Sequence, residues 1–244
     1  MELLKRLYAI NSKSGSEAAI KMLVLRELAD VECTIEEDDS GNIFITKGEA
    51  ECYPGVTAHL DEVHEPVCRS IVTEGDMLYG LDVEGHRVGI GADDKNGLWV
   101  ILKLLRAMPV LKAVLFVEEE KTTIDGEEVA GCRGSRACSL SAFDDVRYLL
   151  AIDRKGSADV VTTSKGGVVL CEESFLPEAV LAEYGYKCVE GGRTDVVALR
   201  ERGLTIPCCN ISCGYYNAHK SDEYTLFSQL EHTLRFVAAL IERL

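Results

Sequence analysis

Apolar positions in this chain alternate between two spacings. Residues 2–10 place Leu3, Leu4, Leu7 and Ile10 on one helical face, and a second helix runs through Ile20, Leu23, Val24 and Leu28. Between them Asn11–Glu17 reads as a turn in which Ser14 or Ser16 caps the second helix. Val31–Glu36 alternates as a half-buried strand, Asp38–Asn42 turns, and Ile43–Thr46 pairs back as a hairpin. Short, mostly apolar runs follow at Val56–His59, Val110–Val117 and Val146–Ile152, with further short strands at Asp159–Thr163 and Thr205–Ile211. Lys95–Met108 is strongly amphipathic and stops at Pro109. Residues 174–184, Thr194–Arg202 (ended by Gly203) and Thr225–Leu244 also read as helices. Residues 67–90 carry four glycines and read as short antiparallel strands.

Strands alternating with helices predict an α/β fold: a mixed, largely parallel central sheet with helices on both faces, a three-layer sandwich. We find no repeat and no Pro- or Ser-rich linker, so residues 1–244 are expected to form a single domain. An apolar fraction of 47% is enough for a sizeable core. The formal net charge of −15 argues against nucleic acid or an anionic membrane as a partner, because phosphates attract Lys and Arg surfaces. No apolar window spans a bilayer, and the N-terminus has no signal-peptide h-region. Ten cysteines sit mostly inside apolar runs, which fits reduced thiols in a cytoplasmic protein.

Five segments place metal-ligand chemistry where strands end: His59-Leu60-Asp61, Gly91-Ala92-Asp93-Asp94-Lys95, Glu118-Glu119-Glu120, Asp153 after Leu149–Ile152, and His219 in the loop Gly214–Tyr224. The carboxyl ends of strands are where α/β enzymes gather functional groups. Each segment alone has an ordinary reading: a surface His beside an Asp, an acidic helix start, a solvated charge run, a turn residue, a loop His. Three adjacent glutamates at the end of a buried strand nonetheless call for cations. Side chains that alternate along the strand let one glutamate bind metal while its neighbour serves as a base. His64, His86 and His232 lack such a setting and read as structural. Gly191-Gly192-Arg193-Thr194-Asp195 does not clearly follow a strand, and reads as a turn into a helix beside the cleft.

In this order the motifs resemble the co-catalytic di-zinc exopeptidases: the peptidase T and carboxypeptidase G group and the glutamyl and leucyl aminopeptidases. The resemblance runs from the Ser-x-Ser-Gly-Ser-Glu turn to the last helix. It implies His59 and Asp153 as ligands of one metal, Glu120 and His219 as ligands of the other, and Asp93 as the bridge, followed by a cis peptide bond. Asp61 is implied as the carboxylate behind His59, and Glu119 as the general base. The implied cofactors are two divalent ions, zinc with manganese or cobalt as alternatives. The implied reaction is hydrolysis of short peptides, most simply as an aminopeptidase. An amidohydrolase or deacylase acting on N-acyl amino acids, and a non-catalytic metal-binding domain, are the competing readings. Two departures stand out. Lys121-Thr122-Thr123-Ile124 follows the glutamates where the family carries Gly, which leaves the loop through Asp125-Gly126-Glu127-Glu128 without a template. The spacings His59–Asp93 and Asp153–Gly191 are also too short for the family's inserted lid, so a bare catalytic domain is expected. Its lidless form and acidic surface favour recognition of an amino terminus.

Overall fold

The computed structural model describes residues 1–124 and 127–244, and only the backbone of 122–124, 127 and 128. Asp125 and Gly126, in the loop that had no template, lie outside the described residues. The strands are β1 (Thr34–Glu37), β2 (Ile43–Lys47), β3 (Tyr53–His59), β4 (Ser70–Glu74), β5 (Met77–Leu81), β6 (Arg87–Val88), β7 (Leu111–Phe116) and β8 (Thr122–Ile124). They continue with β9 (Glu127–Val129), β10 (Val146–Arg154), β11 (Asp159–Ser164), β12 (Lys187–Gly191), β13 (Cys208–Ser212), β14 (Tyr215–Tyr216) and β15 (Tyr224–Leu226). The helices are α1 (Glu2–Ala9), α2 (Ala18–Glu27), α3 (Ala92–Ala107), α4 (Arg133–Ala137), α5 (Glu178–Tyr184), α6 (Asp195–Glu201) and α7 (Phe227–Arg243).

Eight strands form the central sheet in the order β1-β2-β7-β3-β10-β13-β11-β12. Its middle, β7-β3-β10-β13, is parallel, and β1-β2 and the β13-β11 pairing are antiparallel. The expected mixed, largely parallel sheet is what the chain forms. Along β10 the pleat sends Tyr148, Leu150 and Ile152 into one core and Leu149 and Ala151 into another. The first core takes residues of α1, α2, α3 and α7; the second takes Val196, Val197 and Leu199 of α6 with Phe143. A strand buried on both faces needs unbroken apolar sequence, which is why β7 and β10 read as continuous runs. The small sheet β14-β15-β5-β4, with β6 on β5, joins the connection between β3 and α3 to the segment between β13 and α7. No helix among the described residues is long and apolar enough to cross a membrane, and all ten cysteines are free thiols.

Three local expectations are corrected. Neither Ser14 nor Ser16 caps α2; Glu17 is its N-cap residue and makes no side-chain cap bond. Instead its carboxylate accepts from the Gly15 and Glu118 backbone N–H groups. Lys187–Gly191 is a strand, parallel to β11, so Gly191-Gly192 does follow a strand. The alternation there is weak because Lys187 and Glu190 face solvent. Thr225 and Leu226 pair with β5 as a strand rather than opening the last helix, and the Thr225 hydroxyl accepts from the buried Tyr8 hydroxyl at 2.7 Å.

Candidate metal centre

The parallel strands deliver the site. β3 ends at His59, β7 leads into Glu118–Glu120, β10 carries Asp153, and β13 leads into the loop bearing His219. β3, β7, β10 and β13 are mutually parallel, so their carboxyl ends share one edge of the sheet.

His59 Nε2 lies 3.1 Å from Asp93 Oδ1 and 3.6 Å from Asp153 Oδ1. His219 Nε2 lies 3.3 Å from Asp93 Oδ2 and 2.7 Å from Glu120 Oε1. The two oxygens of Asp93 thus face two separate groups, His59–Asp93–Asp153 and Asp93–Glu120–His219. A tetrahedral ion with bonds of about 2.0–2.1 Å has donors about 3.3 Å apart. Three of the four separations lie within about 0.3 Å of that value, His219–Glu120 being shorter at 2.7 Å, and the donors are imidazole and carboxylate, the set that suits zinc, manganese or cobalt. Glu119 forms a third group with His59 and Glu120.

Each of these side chains is held from behind. Asp61 is fully buried; its two oxygens accept the Glu119 and Glu120 backbone N–H groups at 2.9 Å each, and Oδ1 lies 3.3 Å from His59 Nδ1. His59 Nδ1 is also 3.1 Å from the Asp61 backbone carbonyl, so this one residue orients the imidazole through both its carbonyl and its carboxylate, and the carboxylate fixes both glutamates. The Asp93–Asp94 peptide bond is cis. Asp94 is buried, accepting from His59 N at 3.2 Å and from Gly97 N at 2.9 Å. Gly97 has no room for a Cβ, which would meet the Ile152 carbonyl oxygen at 2.3 Å. Asn210 brackets Asp153, accepting from its N–H and donating to its carbonyl.

Buried carboxyls at this density resist ionising together. Burial and the neighbouring Asp93 push the Asp153 carboxyl up to about 8. Burial likewise holds Glu119 well above the carboxylate range, and Asp153, Asp195 and Glu120 add to the effect. Hydrogen bonds to Asp93 and Glu120 push the His219 imidazole up to about 10. Four carboxyls, Asp93, Glu119, Glu120 and Asp153, converge here on two imidazoles, a condition that divalent ions satisfy.

The sequence did not single out three supporting acids. Glu223 is fully buried and accepts the N–H groups of Ile90 (2.8 Å), Gly91 (2.7 Å) and Asp93 (3.3 Å), while His64 Nε2 sits 3.1 Å from it. His64, read as structural, thus backs the turn that presents Asp93. Gly89 must lack a Cβ to pass the His64 ring, which would lie 2.0 Å away. Glu62 is buried between Lys95 (2.6 Å) and Arg69 (3.0 Å) and locks the start of α3. Glu17 pins the backbone of Glu118. The one available signal was position: Glu223 follows His219 by four residues, and Glu17 closes the Ser-Gly-Ser-Glu turn.

The missing Gly after the glutamates is also resolved. The pair β8–β9 is looped out, and Gly131-Cys132-Arg133-Gly134 returns to the glutamates. Cys132 N donates to Glu119 O at 2.8 Å and Arg133 N to Glu118 O at 2.9 Å. A Cβ on Gly131 would meet Glu119 O at 2.1 Å, so the return past the glutamates requires glycine at 131.

No protein-family model matches the chain, and no curated protein matches it in sequence. Solved structures do share its fold. Aminopeptidase PepT from Bacillus cereus superposes with a TM-score of 0.79 at 15% identity, covering 99% of this chain and 96% of that one. A tripeptidase from Staphylococcus aureus gives 0.77 at 15%, over 99% and 96%. A TET aminopeptidase from a marine sediment thaumarchaeote gives 0.76 at 14%, over 100% and 97%. The likeness covers the whole chain and shows the fold.

Proposed function

We propose that this chain is a metal-dependent aminopeptidase acting on short peptides as one catalytic unit without an inserted lid. The observation that carries the reading is Asp93, whose two oxygens serve two imidazole–carboxylate groups while Glu119 stands beside both. Aminopeptidases of the same fold support it. His59, Asp93 and Asp153 would hold one divalent ion, and Asp93, Glu120 and His219 a second, with Asp61 orienting His59. Such ions supply Lewis acidity towards a peptide carbonyl and make a nearby water easier to deprotonate.

The residues of the chain do the rest. Glu119 takes the proton of the attacking water and returns it to the leaving amine; its position beside His59 and Glu120 suits it to both transfers. Cys132 Sγ donates to Glu119 Oε1 at 3.4 Å, which leaves the other oxygen to face the reacting water. Ten cysteines that are free thiols support the reading of a cytoplasmic protein.

The test is hydrolysis of a panel of aminoacyl peptides and N-acyl amino acids by protein loaded with zinc, manganese or cobalt, for wild type and Glu119→Gln. We expect the variant to keep its metal and lose about 10²–10⁴-fold in rate. Equal rates in the two proteins, or no metal-dependent cleavage of any aminoacyl peptide, would overturn the proposal. Cleavage confined to the N-acyl compounds would convert it to a deacylase.

A further inference from the structure

The candidate site opens into a cleft of about 980 Å³, room for a peptide of a few residues beyond the scissile bond. Its charge is divided. The floor is the acidic cluster; among the described residues the walls carry Lys121, Arg136, Arg154, Lys155, Lys165 and Arg193 against one wall acid, Glu190. This occurs on a chain with 41 acidic and 26 basic residues, so chance exposure predicts the opposite sign. The described walls therefore carry the sign opposite to that of the acidic surface expected from composition.

Some of these cations are already engaged. Arg154 pairs with Asp159 at 2.8 Å, Arg193 pairs with Glu201, and Arg136 lies 3.8 Å from Glu201. Among the described residues neither Lys155 nor Lys165 is in an ion pair. Both stand on fixed backbone. Lys155 lies between Asp153 and Gly156, whose N–H donates to the Tyr215 carbonyl at 2.9 Å. The Lys165 N–H donates to the Gly191 carbonyl at 2.8 Å, joining the two strand ends that form the wall. A cationic wall beside a low-dielectric acidic floor focuses the field on an anion held a short distance from the reacting bond.

We propose that Lys155 and Lys165, with Arg193 and Arg136 beside them, form a carboxylate-recognising wall that makes anionic short peptides the preferred substrates. The carboxylates concerned lie on the leaving side of the cleaved bond and come from acidic side chains or from the peptide's own C-terminus. This rests on the peptidase reading for the position of the bond, but not for the charge of the wall.

Three peptides separate the sources: Leu-Glu-Glu, Leu-Gln-Gln and C-terminally amidated Leu-Gln-Gln. Binding to metal-loaded Glu119→Gln is measured by calorimetry, and KM for cleavage is measured on wild type. We expect affinity to fall about 3- to 10-fold from the first peptide to the second and again to the third, with the differences shrinking as salt is raised. K155Q/K165Q should reduce each step to less than 2-fold with metal content unchanged, and K187Q, away from the cleft, should keep them. Equal affinities for the three peptides, or a grading that survives K155Q/K165Q, overturns the proposal. A step seen only between the second and third peptides assigns the wall to the C-terminus; one seen only between the first and second assigns it to side chains. Graded binding without cleavage supports the wall and overturns the peptidase reading, whereas cleavage without grading overturns the wall alone.

Discussion

Replacing Glu223 by Gln tests whether the site is held by its surroundings. The two side chains have nearly the same volume, so packing is preserved and only the acceptors change. Glu223 Oε2 accepts from Ile90 and Gly91 and faces His64, and Oε1 accepts from Asp93. Glutamine keeps one acceptor oxygen. If that oxygen stays with Ile90 and Gly91, the amide group meets the Asp93 N–H donor to donor. A buried donor left unpaired costs about 1–3 kcal/mol. For a domain of this size each kcal/mol lowers Tm by about 2–4 °C, so a drop of roughly 2–12 °C is expected. The larger effect should fall on metal. Asp93 is presented by the turn that Glu223 clamps, and His219 lies four residues from Glu223 in the same loop. Loss of such support typically weakens metal affinity about 10–100-fold. Chelator competition with zinc, alongside thermal unfolding of the metal-free protein, reads the two effects separately. The exposed Glu84→Gln is the control. The reasoning is refuted if Glu223→Gln melts within 1 °C of wild type and binds both ions with unchanged affinity.

Further outcomes follow from the same contacts. The chelated protein should lose stability as pH rises from about 4 to 8, because folded Asp153, raised to about 8, and folded Asp195, raised to about 7 mainly by burial, retain protons that the unfolded chain releases near 4. His59 and His219, both raised, act in the same direction above pH 6.5. Melting curves with and without manganese check this, and added metal should flatten the slope. Gly97→Ala forces a methyl against the Ile152 carbonyl and should cost about 1–3 kcal/mol in urea unfolding. Glu62→Ala leaves Lys95 and Arg69 buried without their anion and should cost about 3–5 kcal/mol, a loss that an exposed pair such as Arg106–Asp30 should not match.

The strands that build the site were the most legible part of the sequence, because double-sided burial writes them as unbroken apolar runs. β7 and β10 fall within a residue or two of the runs that predicted them. The five strand-end segments were visible for the same reason. Their side chains converge in the structure, His59 and His219 each within 3.6 Å of their carboxylates. What stayed hidden depends on contacts between distant residues. β12 is an edge strand with solvated Lys187 and Glu190, and carries little pattern. Glu62, Glu223 and His64 look like surface residues until Lys95, Arg69 and the 90–93 turn close over them. The return of Gly131 to Glu119 could not be seen because the intervening residues interrupt the local motif.

The order in which the central sheet is assembled has a bearing on biosynthesis. β10 pairs with β3 on one side and with β13 on the other, and β13 is made about sixty residues later. A nascent chain that has emerged only as far as Asp153 exposes the open edge of β10 and lacks His219 altogether. The Asp93–Glu120–His219 group therefore cannot close on a partly synthesised chain; it completes only on one that is nearly whole. Chains terminated before β13 leave the β10 edge unpaired and should be recognised as unfolded and degraded.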